Sequence, residues 1–121
     1  MKYLYERKLS DKAADLIRFD ADSIRQVAAA ERLAAPDVWI ADPDAYEKDG
    51  RVFRDSPSAR MLAYSRQSRV VYATDGCNSC ARKLPVELEK MPEAELVAFA
   101  RDNDLSLDLL KRLCAENTPK A

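Results

Sequence analysis

The chain has 121 residues, of which 47% are hydrophobic and 34% are charged, and its formal net charge is −1. This length predicts a single domain over residues 1–121, and the hydrophobic content is too high for intrinsic disorder. Histidine is absent, which excludes Ser-His-Asp and Cys-His catalysis and histidine metal ligands. We expect a cytoplasmic protein without membrane contact, because no apolar run approaches the roughly 18 residues of a membrane span.

The net charge conceals an uneven distribution along the chain. Residues 51–83 carry seven Lys and Arg against two Asp and Glu, whereas residues 1–50 carry eight against eleven and residues 84–121 carry five against eight. The folded domain could pair these charges across its own surface, or it could present a basic face to an anionic partner. We favour internal pairing for most of them.

The first elements are predicted to be a strand and two helices. Residues 2–7 alternate as in a half-buried strand. Ser10 is a helix N-cap, and the capping box of Ser23 with Gln26 predicts that a second helix begins there. Pro36 is expected to stop that helix.

The next segment is rich in strand and turn signals. Residues 37–41 include the β-rich run around Trp39, which predicts a strand with this tryptophan in the core. Asp42-Pro43-Asp44 predicts a turn. Asp49-Gly50 suits a hairpin turn, with Tyr46 before it and a strand at residues 51–54 after it.

Two structures compete for residues 57–74. Ser56-Pro57 favours a helix from Pro57 to about Gln67. Alternatively, Met61 to Ser65 and Arg69 to Thr74 form two strands of a hairpin closed at residues 66–68. Periodicity does not distinguish these two possibilities, although residues 69–74 are read as a strand in both.

The C-terminal part predicts a helical hairpin over residues 84–117. One helix begins at Pro92-Glu93 and a second follows the break at Asn103-Asp104, with fraying from Glu116 and a frayed tail at 118–121. The predicted packing residues are Leu96, Phe99, Leu109, Leu110 and Leu113. The predicted fold class is therefore α+β: a small, mostly antiparallel sheet packed on N-terminal helices, followed by this hairpin.

The run Val70 to Tyr72 followed by Cys77-x-x-Cys80 resembles the active-site turn of glutaredoxins and thioredoxins over about fifteen residues. The resemblance implies thiol-disulfide exchange, with Cys77 attacking and Cys80 resolving. The same pair with Cys114 would be three ligands of a zinc site, whose fourth ligand would have to be Asp75, another carboxylate or a second chain. The favoured interpretation is that Cys77 and Cys80 lie in a turn after a strand, that Cys114 lies in the core and that no cofactor binds.

The C-terminal hairpin is similar in rhythm to the helix-loop-helix modules at the start of transcription terminator Rho and in SAP domains. That similarity implies proximity to nucleic acid. The sequence pI of about 5.5 instead favours a protein partner with an acidic face.

The sequence therefore predicts a non-enzymatic binding protein of the regulator or inhibitor type, as phages and mobile elements encode against host machinery. Its partner-binding candidates combine arginines with an interleaved aromatic residue: Arg54, Arg60, Tyr64, Arg66 and Arg69.

Overall fold

The computed structural model describes residues 1–47, 59–74 and 81–117. The elements in chain order are β1 (Lys2–Tyr3), α1 (Asp11–Ala30), β2 (Val38–Ala41), α2 (Pro43–Glu47), β3 (Met61–Ser65), β4 (Val70–Thr74), β5 (Arg82–Pro85), a 3-10 helix (Leu88–Lys90), α3 (Glu93–Asp102) and α4 (Leu107–Asn117). The predicted α+β class and mostly antiparallel sheet are confirmed. The predicted Asp49-Gly50 hairpin and the strand at 51–54 lie outside the described residues.

Five strands form one sheet in the order β1-β2-β3-β4-β5. Only β1 is parallel to its neighbour, and its predicted span of 2–7 shrinks to two paired residues, Lys2 and Tyr3. The other neighbours are antiparallel, with Ile40 opposite Leu62 and Tyr64 opposite Val71.

Both faces of the sheet are covered, which gives three layers. Alternate residues of β3 and β4 enter one core with α3 and α4 and a second core with α1 and α2. Every residue of both central strands is buried. Their sequences are therefore continuous apolar runs rather than alternating ones, as two-sided burial requires.

Helix α1 is continuous, so the predicted break near residues 20–23 is wrong. Its apolar stripe repeats every three or four residues through the whole helix: Ala13, Ile17, Ala21, Ile24 and Ala28. The Ser23 hydroxyl does not cap a second helix but donates to the Phe19 carbonyl at 3.0 Å. Ser10 is the N-cap, as predicted.

The end of α1 comes earlier than Pro36. Arg32 adopts a left-handed φ of 58°. Its N–H donates to the Ala29 carbonyl at 3.0 Å, while the Leu33 N–H donates to the Ala28 carbonyl at 2.8 Å. This pair of bonds is a Schellman motif, which satisfies the last carbonyl groups and ends the helix before the proline acts.

The hairpin alternative for residues 61–74 is confirmed, and the helix from Pro57 to Gln67 is wrong. The Arg69 N–H donates to the Ser65 carbonyl at 2.8 Å, and Arg69 has a φ of 57°. A helical Met61–Ser65 segment would have left the centre of the sheet without a strand.

Three smaller predictions also need correction. Asp42-Pro43-Asp44 opens the short helix α2 rather than a simple turn, because the Asp42 carboxylate accepts from the Asp44 N–H at 3.0 Å. Tyr46 lies in α2 and not in a hairpin strand. Trp39 lies half-buried at the side of the core, under the Arg25 guanidinium at 4.9 Å.

Strand β5 was not predicted, because its sequence reads as a charged segment followed by helices. The Val86 N–H donates to the Arg69 carbonyl at 3.0 Å, which continues the ladder past Pro85. Along an edge strand, backbone N–H groups point alternately toward the neighbouring strand and away from the sheet. Because the Val86 N–H points toward β4, the backbone nitrogen of Pro85 faces away from the sheet, where a missing N–H costs no hydrogen bond of the ladder.

The predicted C-terminal hairpin forms and packs as expected. Leu109, Leu110 and Leu113 are fully buried, and Leu96 and Phe99 pack against the same cluster. The prediction that the chain frays from Glu116 is wrong for Glu116 and Asn117, because α4 continues to Asn117, which is buried.

Replacing Leu110 by alanine should lower the free energy of unfolding by about 2–5 kcal/mol, since it removes a fully buried side chain from the larger core. Urea denaturation measures this change. Val97→Ala is the matched control, because Val97 is 41% exposed and should lose much less. Equal losses for the two variants would contradict the assigned packing.

Candidate functional site

The fold neutralises much of the basic segment with the acidic flanks. Arg60 pairs with Asp20 at 2.7 Å, Arg69 with Glu87 at 3.2 Å and Lys83 with Glu31 at 3.2 Å. The Arg82 guanidinium donates to the Asn103 carbonyl at 2.8 Å, near the C-terminus of α3. Three of the five described cations of residues 51–83 are thus paired with carboxylates from the acidic flanks.

Arg60, a predicted partner-binding residue, lies in a buried ionic network. Its Nε donates to Asp20 Oδ2 at 2.7 Å and its Nη2 to Oδ1 at 3.2 Å. The Tyr46 hydroxyl and the Thr74 hydroxyl also donate to Oδ2, at 2.5 and 3.4 Å. Arg60 is 9% exposed and Asp20 is not exposed at all, so the guanidinium is committed to its internal partner.

The electrostatics of this network favour the ion pair. Burial opposes the charge of Arg60, but the hydrogen bond and charge of Asp20 outweigh it and raise the pKa of Arg60. Burial, together with the Asp20 charge, raises the pKa of Tyr46 well above its usual range. The tyrosine therefore stays neutral and acts as a hydrogen-bond donor.

Tyr64 and Arg66, two of the predicted site residues, are joined through a polar chain. The fully buried Tyr64 donates its hydroxyl proton to Glu89 Oε2 at 2.7 Å, and Glu89 Oε1 accepts from the Asn117 amide at 3.1 Å. Asn117 Oδ1 then accepts from Arg66 Nε at 2.7 Å, and its backbone carbonyl accepts from Nη2 at 3.4 Å. Tyr64 therefore acts from inside the core, not as a surface contact.

Ionisation states along this chain are set by its hydrogen bonds. Burial, reinforced by the bond to Glu89, raises the pKa of Tyr64 to about 12. Burial opposes the charge of Glu89, but hydrogen bonds from Tyr64 and Asn117 dominate and lower its pKa. At neutral pH a neutral tyrosine thus donates to a carboxylate, and the charge of the nearby Arg66 also lowers the pKa of that carboxylate.

Arg66 lies in a surface cleft of about 230 Å³. Val38 and the half-buried Trp39 supply apolar walls, and Lys2 and Glu116 lie at the rim. The Arg66 backbone N–H donates to Asp37 Oδ2 at 2.7 Å, which fixes the turn that carries this side chain. The arrangement presents an oriented guanidinium beside an aromatic surface, which suits recognition of a carboxylate.

The other predicted contacts are distributed differently. Arg69 lies on the same turn as Arg66, with a side chain that is 64% exposed. Arg60 lies at the opposite end of β3, so it does not share a surface with them. Arg54 lies outside the described residues.

Of the three cysteines, only Cys114 lies in the described ranges. Cys77 and Cys80 lie outside them, so their predicted turn stays a prediction. Cys114 packs beside the larger core, where burial and the charge of Glu89 raise the pKa of its thiol. No cluster of three or more potential metal ligands occurs within residues 1–47, 59–74 and 81–117.

Sequence reasoning missed Asp20, Glu89 and Asn117. Asp20 lies on the buried stripe of a continuous helix, a signal that the assumed break concealed. Glu89 and Asn117 carry no local signal, because their roles depend on α4 ending beside the β3–β4 turn.

Comparisons with protein-family models, curated proteins and solved structures found no match for this chain. Within the described residues, no helix is long and apolar enough to cross a membrane.

Asp20→Ala should destabilise the protein by about 3–5 kcal/mol, because it leaves the buried Arg60 guanidinium without its counter-charge. Urea denaturation provides the measurement. Asp102→Ala is the control, since Asp102 pairs with Arg101 on the surface and exposed pairs contribute about 0–1 kcal/mol. A small loss for Asp20→Ala would show that the network does not support the fold.

Alkaline pH should weaken the fold through Tyr64. Its pKa is raised on folding, so its contribution is complete below its ordinary value of 10.0 and is lost as the pH rises toward about 12. In urea titrations across this range, Tyr64→Phe should show a shallower loss of stability than the wild type. An unchanged slope would mean that the Tyr64–Glu89 bond does not control this pH range.

Proposed function

We propose that this domain is a non-enzymatic binding protein that modulates a macromolecular partner by protein–protein contact, with Arg66 as its anchor. The observation that carries the proposal is the polar chain Tyr64–Glu89–Asn117–Arg66, which runs from the core to a surface cleft. Among the predicted candidates in the described ranges, Arg66 is the one that is exposed and held in this way.

A pre-oriented arginine reduces the entropy lost when a partner binds. Lysine and arginine side chains carry about 2 kcal/mol of rotamer entropy, and ordering such chains opposes association. Asn117 already restrains the Arg66 guanidinium through Nε and Nη2. Arginine has five N–H donors, so enough donors remain for a bidentate bond to a carboxylate.

The surroundings of Arg66 suit a protein partner with an acidic face. Trp39 and Met1 provide apolar contact area next to the guanidinium, and interfaces draw much of their energy from such arginine and aromatic anchors. Arg69, on the same turn, adds a second exposed cation at the edge of this surface. The proposal includes no cofactor and no catalytic step.

Arg66→Ala should weaken partner binding by about 30-fold or more, the effect of removing a hot-spot side chain. The partner is first isolated by affinity capture with cross-linking, and titration calorimetry then measures the dissociation constant. Arg101→Ala is the control, since its side chain is 73% exposed and pairs with its neighbour Asp102. It should bind as the wild type does.

Two further variants separate pre-orientation from charge and from cysteine chemistry. Asn117→Ala keeps the Arg66 charge but frees its side chain, so binding should weaken less than with Arg66→Ala. Cys77→Ser/Cys80→Ser should bind normally. If the cysteine variant is folded and fails to bind while Arg66→Ala binds fully, the proposal is wrong and a thiol or zinc function replaces it.

A further inference from the structure

A second concave surface lies between β1 and α1, on the other side of the β1 edge of the sheet. This groove has a volume of about 440 Å³. Tyr3, Ile17 and Ala21 form its apolar floor, and Arg18, Asp22 and Arg25 follow its rim along α1. One exposed apolar side chain lines the groove, that of Met1, which is 49% exposed.

Four of the charged residues on this side of α1 form an antisymmetric pattern. Arg18 and Asp22 lie two residues on either side of position 20, and Asp15 and Arg25 lie five residues on either side. At 3.6 residues per turn, the four positions fall within an arc of about 80° on the helix. Each residue thus has a residue of opposite charge at the mirrored position on the same face.

This pattern is self-complementary for two antiparallel copies of the helix. If a two-fold axis passes beside position 20, Arg18 of each copy faces Asp22 of the other, and Asp15 faces Arg25. A two-fold interface places the same patch on both subunits, so a charge pattern must be antisymmetric in this way to avoid repulsion. We infer that the β1–α1 groove is a homodimer interface in which the α1 helices of two copies lie antiparallel.

The ion pairs within one copy do not prevent this exchange. Arg18 pairs with Asp15 and Arg25 with Asp22, one turn apart, and all four side chains are more than half exposed. Such pairs contribute about 0–1 kcal/mol, so exchanging partners is nearly neutral. Burial of Met1 and of the half-buried Tyr3 then favours association, while the charges specify the antiparallel register.

One wall of the groove is already ordered for this contact. The Arg25 guanidinium lies over the Trp39 ring at 4.9 Å, a cation–π contact that restrains the side chain. The inference does not depend on the proposed function: Met1 lines both surfaces, but Arg66 lines the other cleft and not the groove. Arg66→Ala should therefore leave the dimer unchanged.

A charge-swap experiment tests the inference by sedimentation equilibrium over a series of protein concentrations. The wild type should show a reversible monomer–dimer equilibrium. Arg18→Asp places two like-charged pairs at the interface and should weaken the dimer by about tenfold or more. Arg18→Asp/Asp22→Arg restores opposite charges across the axis and should restore the dimer.

The double variant distinguishes pairing between copies from pairing within one copy. Its new carboxylate at position 18 lies beside Asp15 and its new guanidinium at position 22 lies beside Arg25, so both ion pairs of the wild-type helix are lost. Positions 18 and 22, four residues apart, carry opposite charges in the wild type and in the double variant alike, so this pair does not explain a difference between them. A wild type that stays monomeric throughout, a single variant that dimerises normally or a folded double variant that stays monomeric would overturn the inference. If circular dichroism shows that the double variant is unfolded, Asp15→Arg/Arg25→Asp provides the same swap at the outer pair, judged by the same outcomes.

Discussion

The two-sided burial of β3 and β4 is the constraint on which the rest of the structure depends. Both strands are buried along their whole length, so helices must cover both faces of the sheet. The covering helices come from the two acidic flanks of the chain, and the basic segment supplies the central strands. Carboxylates from the flanks consequently form ion pairs with cations of the basic segment, as Asp20 does with Arg60 and Glu31 does with Lys83.

The arginines at the two ends of β3 have different roles because their surroundings differ. Arg60, at the start of the strand, is enclosed by Asp20 and Tyr46 and contributes to folding. Arg66, just past the end, is held from one side by Asn117 and is open on the other. A surface arginine with an ordered side chain can bind a carboxylate at a lower entropic cost than a freely moving one. This difference makes Arg66 the centre of the proposed binding site.

The sequence was sufficient for the elements that rest on local signals. The Ser10 cap, the strand around Trp39 and the C-terminal hairpin follow from capping, β-propensity and helical periodicity. Residues 61–65 could not be assigned because a strand buried on both faces has no alternation. The candidate site was recognised only in part. Arg66 was a candidate, but Asn117, which accepts the hydrogen bond from its Nε, is more than fifty residues away in the chain and was expected to lie in a frayed end.

Side-chain NMR of arginine Nε groups tests the central claim most directly, because it observes Arg60 and Arg66 separately in one sample. On addition of the captured partner, the Arg66 Nε–H signal should shift and gain protection from solvent exchange, while the Arg60 signal should not change. A shifted Arg60 signal, or an Arg66 signal that does not change, would contradict the account.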